Sequence, residues 1–423
     1  MAALFVIVGL TQSWNVSLAI LNLCLISSIM AIGVNMAWGY AGLFNVGTMG
    51  FAAVGGVAAV LVSQPPIPEA WGAGGLGLLA ALAALLATVA AILWTRRALA
   101  PGALRGFATT LVIVAGYALT RWFYDPAVEA VESVDPATAG YLGGLGLPIT
   151  LGWLVGGVLA AGAAWIVGKI SLGLRSDYFA IATLGISEII LAAVKNEDWL
   201  ARGVKNVTGL DRPVPYEIDL QESLAFVDRA AALGLEAGEA SGIFVKLSYA
   251  VLFAAVLAIL MWLAERALNS PWGRMMRAIR DNEAAAEAMG KDVTARHLQI
   301  FVLGSAVVGV AGAMLVTLDG QFTPGSYNPL RFTFLIWVMV IVGGSGNNWG
   351  SVLGGFLIWF VWVQAEPMGQ WLMGVLAAPF PAGSDIAAHL RESAPHMRMV
   401  FMGLILLLVM RFSPRGLLPE RVR

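Results

Sequence analysis

Glu188, within SDYFAIATLGISEIILAAV, is the acid set deepest in apolar sequence. A carboxyl at membrane depth is costly, so it marks a proton relay, a pathway lining or a hydrogen-bonded strut between helices. Asn22, Asn35, Asn45, Asn347 and Asn348 are further polar groups in or beside apolar runs. An amide both donates and accepts, which suits a zwitterionic or amide ligand in a pathway, and equally an interhelical hydrogen bond. Two of these residues, Asn347 and Asn348, lie in GGSGNNWGSVLGGF (343–356), and Asn45 lies in GYAGLFNVGTMGF (39–51). Glycine permits positive φ and close backbone approach, so each stretch reads as a broken helix or as a tight turn. A pair of glycine-interrupted segments is a pointer to a transport pathway.

Other chemistries lack their residues. GGSGNNWGS has no GK[ST] ending, so no phosphate-cradling loop is expected and any ATP chemistry falls to another polypeptide. His297, His389 and His396 are scattered, with no HExxH and no GxSxG, which leaves a hydrolase without its constellation. One cysteine, Cys24, excludes an intrachain disulfide and a cysteine metal cluster. Neither a metal nor a cofactor is expected.

A charged stretch, NSPWGRMMRAIRDNEAAAEAMGKDVTARHLQIF (269–301), separates two apolar runs. Ser270 suits an N-cap, Pro271 the first helical turn and Gly290 the helix end. Met275, Ile279, Ala286 and Met289 fall on one helical face, with Arg274, Arg277, Asp281 and Glu287 elsewhere. The expectation is a short amphipathic docking helix between two spans, or a loop lying on headgroups.

The elements that would carry these residues are membrane helices. The chain has 423 residues, 59% hydrophobic and 12% charged, with mean hydropathy +0.80. Soluble domains carry about 25% charged residues, so an all-α polytopic membrane protein is expected. A net charge of -1 without a basic tract argues against nucleic-acid binding. No charged region precedes the first apolar run, so no cleavable signal peptide is expected. Apolar runs predict 11 crossings: 16–38, 46–63, 75–95, 106–123, 150–168, 177–195, 246–268, 297–318, 331–344, 350–366 and 397–412. The sixth and ninth are short enough to be tilted, broken or re-entrant. With 11 crossings, four basic groups share one face: Arg96, Arg97 and Arg105; Lys169 and Arg175; Arg274, Arg277, Arg280, Lys291 and Arg296; and Arg411, Arg415, Arg421 and Arg423. The positive-inside rule makes that face cytoplasmic and the topology N-out, C-in. The largest outer segment, 196–245, is expected to carry a surface helix at 222–235 with Leu224, Val227, Ala231 and Leu235 on one side, either as a cap over the spans or as a surface for a delivering protein.

Six segments in order resemble the LivM-like permease subunits of bacterial branched-chain amino-acid ABC importers: NMAWGYAGLFNVGTMGFAAVGGVAA, LRSDYFAIATLGISEII, SPWGRMMRAIRDNEAAAEAMGKDV, FVLGSAVVGVAGAML, VGGSGNNWGSVLGGF and SPRGLLPE. That family carries a cytoplasmic EAA-x3-G-x9-I-x-L-P loop whose helix couples to the ATPase. Ala284, Ala285, Ala286, Gly290 and Ile300 keep its spacing, while Ala284 replaces the acid and Val302-Leu303 replace Leu-Pro. Glu283 or Glu287 is positioned to supply the missing charge. The resemblance implies one permease domain over 1–423, with 196–245 as an extended periplasmic segment and 269–296 as the coupling loop. It further implies two cytoplasmic ATP-binding subunits, a second homologous permease, a periplasmic solute-binding protein and a bacterial inner-membrane location. Substrates of such permeases include branched-chain and other amino acids, urea and short amides. The competing expectation is an ion- or proton-coupled secondary transporter using Glu188.

Overall fold

A computed structural model describes residues 1–136, 139–381 and 384–420; Arg421 and Arg423 lie outside the described residues. The eleven expected crossings all appear as helices. They are α1 (Trp14–Ala41), α2 (Thr48–Ser63), α3 (Leu76–Ala98), α4 (Ala103–Glu132), α5 (Ile149–Ser171) and α6 (Ser176–Asn196). After these come α7 (Ala237–Asn269), then two short helices, α8 (Pro271–Asp281) and α9 (Glu283–Ala288), and α10 (Val293–Asp319). Finally come α11 (Pro329–Gly343), α12 (Asn348–Ala377) and α13 (Met397–Phe412). Helices dominate because backbone polar groups in hydrocarbon must be satisfied within their own segment.

The centre of the bundle is α10, packed against α1, α2 and α5. Small residues make those crossings close. A Cβ on Gly55 would lie 1.9 Å from the Gly309 carbonyl oxygen, and one on Gly309 would lie 2.6 Å from that of Gly156. Backbones thus touch directly, where apolar lipid supplies no hydrophobic drive of its own. By contrast α3 and α4 form a hairpin packed on each other, with almost none of its apolar length buried elsewhere in the chain.

Helix lengths correct part of the sequence reading. The sixth crossing, α6, is a continuous helix of 21 residues. The short ones are the second and the ninth, α2 with 16 residues and α11 with 15; α13 also has 16 but continues back through further helical turns to Asp385. At about 1.5 Å per residue α2 and α11 cover roughly 24 and 22 Å, less than a ~30 Å hydrocarbon core. Both of these helices abut the glycine breaks.

The segment after α6 folds back over the acidic end. Val207–Thr208 pairs antiparallel with Gln321–Phe322, and Leu210 donates to the Gly320 carbonyl at 3.3 Å. The expected surface helix spans Leu224–Ala232, and its inward side carries Phe226, Val227 and Ala230. Leu224 and Ala231, expected there, are exposed and Leu235 lies beyond the helix, because tertiary packing sets the helix at a different rotation.

Candidate functional site

The basic ends of the helices carry the charged stretch, and its architecture differs from a single helix. Ser270 caps α8 by accepting from Gly273 N at 3.4 Å. The helix stops at Asn282, whose side chain accepts from Ala285 N at 3.0 Å and starts α9. Two caps in one stretch follow from the Asn type, which competes for backbone hydrogen bonds. Gly290, with φ 76°, ends α9, and Lys291 N donates back to the Ala286 carbonyl at 3.1 Å. Asp292 then caps α10 through Ala295 N at 2.9 Å.

This break redistributes the faces. Ile279, Ala286 and Val293 form a small buried cluster with Met275 packed beside it, and Met276 is fully buried. Met289, expected on the same face, is 79% exposed, because α9 turns away at Asn282 and ends at Ala288. The buried methionine and isoleucine therefore hold the stretch to its own chain. What faces outward is Glu283, Ala284, Ala285, Glu287 and Met289, with Gly290, Asp281 and Arg274 at the margins; Arg277 is half-buried. Two carboxylates, short methyl side chains and one protruding thioether make a shallow surface suited to a partner's groove.

Behind that surface, Arg280 ties the stretch to the helix breaks. Its guanidinium donates to the Gly39 carbonyl near the end of α1, to Glu420 at 2.8 Å and to Asp281 at 3.1 Å. Burial works against its charge, but the Glu420 and Asp281 carboxylates outweigh it and hold the pKa above its usual value. Glu420 belongs to the segment after α13. There Leu417 N and Leu418 N donate to the carbonyls of Val342 and Gly343, both at 2.9 Å. A helix end leaves its last carbonyls without intrahelical partners, and this segment satisfies them for α11. Asn347 extends the tie, donating to the carbonyls of Leu418 at 3.1 Å and Pro419 at 3.3 Å while its oxygen caps α12 at Trp349 N.

One helical turn deeper, the two glycine breaks meet in a polar network. Asn35, fully buried, accepts from Gly346 N at 2.9 Å and donates to the Asn348 side-chain oxygen at 3.2 Å. Tyr40 donates to the same oxygen at 2.7 Å, and Asn348 in turn donates to Glu265 of α7 at 3.1 Å. Four elements, α1, α7, the 344–347 break and the start of α12, are thereby joined by groups that satisfy one another.

The other expected pathway residues are scattered. Asn22 lies far along α1 and donates to the Lys246 carbonyl at 2.9 Å. The Asn45 side chain accepts from Gly47 N at 2.9 Å, and its carbonyl accepts from the Trp337 indole at 3.1 Å. Glu188 lies on the exposed face of α6 with Ile181, Gly185 and Ile189, and no described residue bonds to it. Asn35 and Asn347 are thus brought to the breaks, while Asn22 and Glu188 stand apart. Glu420, Glu265 and Tyr40 were not singled out from the sequence, and Arg280 was named only as one member of a basic group. For Glu420, Arg280 and Tyr40 a signal existed, since each lies in one of the six resembling segments; for Glu265 no motif or spacing exposes the role.

Against this geometry the comparisons are specific. Residues 107–410, more than half of the chain, match the family model described as branched-chain amino acid transport system / permease component. The chain belongs to that family. A probable branched-chain amino acid transport permease protein LivM from Methanocaldococcus jannaschii is 30% identical over 252 residues, covering 59% of this chain and 62% of that protein. The high-affinity branched-chain amino acid transport system permease protein LivM of Escherichia coli is 24% identical over 252 residues, covering 59% of this chain and 52% of its own length. A fructose import permease protein, FrcC of Rhizobium meliloti, is 26% identical over 140 residues, 30% of this chain and 38% of its own. The chain thus spans between about half and 62% of the length of the LivM proteins it matches. No solved structure matches significantly.

Proposed function

We propose that this chain is the membrane-spanning subunit of an ATP-driven importer for branched-chain or related small amino acids. The observation that carries the reading is the outward surface of Glu283–Gly290, held by Arg280 to the breaks in α1 and between α11 and α12. Force applied at that surface reaches the ends of three membrane helices through charge-assisted hydrogen bonds. ATP hydrolysis falls to two partner subunits on the basic, cytoplasmic face, in keeping with GGSGNNWG being followed by Ser351 with no lysine before it, so that the GK[ST] ending is not formed. Closure of those subunits shifts the permease between outward- and inward-open states.

A second, homologous permease completes the bundle. Supporting this, Glu188 projects from α6 at a depth where a charge facing hydrocarbon costs about 2.5–3.5 kcal/mol on insertion scales. A protein partner over that face removes the penalty. A solute-binding protein on the outer face delivers substrate over the 196–245 segment, and the whole resides in a bacterial cytoplasmic membrane. Relatives whose names specify branched-chain amino acids cover far more of this chain than the fructose permease does, which favours an amino-acid substrate.

The test is reconstitution with the ATPases, second permease and binding protein, following radiolabelled leucine. Uptake is expected only with ATP, and Arg277→Glu is expected to abolish uptake while leaving the chain folded; Gly290→Pro, which cannot take the φ of 76° there, is expected to abolish uptake by unfolding the end of α9. Leucine uptake by this chain alone down a proton gradient, lost in Glu188→Gln, would establish the secondary-transporter mechanism instead.

A further inference from the structure

Near the acidic ends of the helices, α1, α2, α10, α11 and α12 enclose a recess of about 200 Å³. For scale, a dry cavity of about 150 Å³ lined by Leu, Ile and Phe holds benzene, so this recess has room for a branched aliphatic side chain. Its floor is apolar, with Ile26, Met30, Met49 and Ile336 contributing. At its rim stand Asp319 and Ser326, both exposed.

Asp319 is set against ordinary expectation. It is the last residue of α10, where the helix dipole is negative and a carboxylate is disfavoured. No ion pair or hydrogen bond from a described residue reaches it. Carboxylate and helix end together make a negative focus above an apolar cavity, which is the complement of an ammonium group carried on a hydrocarbon. Donors are also present and unused: the buried Trp359 indole N–H has no acceptor, and the Ser27 and Ser326 hydroxyls make no hydrogen bond to described residues.

We propose that this recess binds a small aliphatic α-amino acid, its ammonium on Asp319, its side chain among Met30, Met49 and Ile336, and its carboxylate served by the Trp359, Ser27 and Ser326 donors. A sugar would need many more polar groups than one carboxylate and these three donors provide. A metal ion would need several ligands, and no such cluster exists among the described residues. A lipid chain would fill the apolar floor without any call on Asp319. The proposal rests on the amino-acid importer reading and locates one substrate site within it.

The experiment uses the full chain in lipid nanodiscs without ATP, titrated with leucine, leucinamide and 4-methylpentanoate. Leucine and leucinamide are expected to bind, 4-methylpentanoate about tenfold more weakly or worse, and Asp319→Asn is expected to weaken leucine by a similar factor. Asp319→Glu is expected to keep part of the affinity. A second readout is the rate at which a charged thiol reagent labels Ser326→Cys, since the native Cys24 is buried; leucine is expected to slow it. Equal binding of 4-methylpentanoate, wild-type affinity in Asp319→Asn, or labelling indifferent to leucine would each overturn the site. In the complete transporter, ATP-driven uptake unchanged by Asp319→Asn overturns the site and spares the importer. Leucine protection in the isolated chain without any ATP-driven uptake overturns the importer and spares the site.

Discussion

Arg280 contacts an α1 carbonyl, a carboxylate of its own helix and a carboxylate from the segment after the last crossing. A group with three partners on three segments transmits displacement better than an isolated surface pair, whose worth is about 0–1 kcal/mol. Arg280→Ala is accordingly expected to lower leucine uptake by about fivefold or more while ATP hydrolysis by the partner subunits persists. Measuring both rates in proteoliposomes checks it, and the double exchange Arg280→Glu with Glu420→Arg is expected to recover part of the loss. At this scale the sequence was least informative. Glu188 reads as a deep acid but its side chain is exposed on the surface of the bundle, and nothing in the sequence draws notice to Asp319, which stands over a cavity. Burial depends on neighbours distant in the chain, and no local pattern encodes them.

Among the elements, helix identity was legible and helix rotation was not. Each of the eleven apolar runs became a helix, because every backbone group in hydrocarbon must be satisfied internally; among the described residues nine of them lie in helices long and apolar enough to cross a membrane, and α2 and α11 are shorter. The charged stretch was legible in its ends, Ser270 and Gly290, but not in its middle, where Asn282 starts a second helix. Replacing that cap, Asn282→Ala, is expected to cost about 1 kcal/mol and to raise hydrogen exchange across Glu283–Ala288. The close crossings offer a sharper test. Gly309→Val places methyl groups where the Gly156 carbonyl and Ala160 now stand, with the added Cβ 2.4 Å from the Ala160 Cβ. Overpacking of this kind costs about 1–3 kcal/mol, so the detergent-solubilised protein should unfold at lower temperature. An unchanged melting midpoint would mean that α5 and α10 are able to separate without loss.

For the whole molecule, the charge distribution and an alternation of eleven crossings imply one topology, and the structure brings the 172–176 turn, the 279–297 stretch and Glu420 together at one end of the bundle. The sequence could not show how unequal the bundle is, with α10 enclosed and the α3–α4 hairpin nearly free. Nor did it show that the α6 face bearing Glu188 is left uncovered. If a second permease covers that face, a Gly185→Cys variant should crosslink to it in membranes and become inaccessible to lipid-soluble thiol reagents on assembly. Continued labelling at the rate of the isolated chain would place the partner elsewhere.

The segment at 413–420 has a consequence for biogenesis. Its amides close the end of α11 and its Glu420 anchors Arg280, yet it follows α13 in the chain. A ribosome therefore delivers all eleven crossings to the membrane before the piece that fastens the second glycine break has emerged. Until then the Val342 and Gly343 carbonyls have no partner from this segment and Arg280 lacks one of its carboxylates. The surface around Arg280 therefore acquires these contacts only after the last crossing has been made. Folding order is thereby written into chain order: the fastening of the second glycine break waits for the membrane helices that precede it.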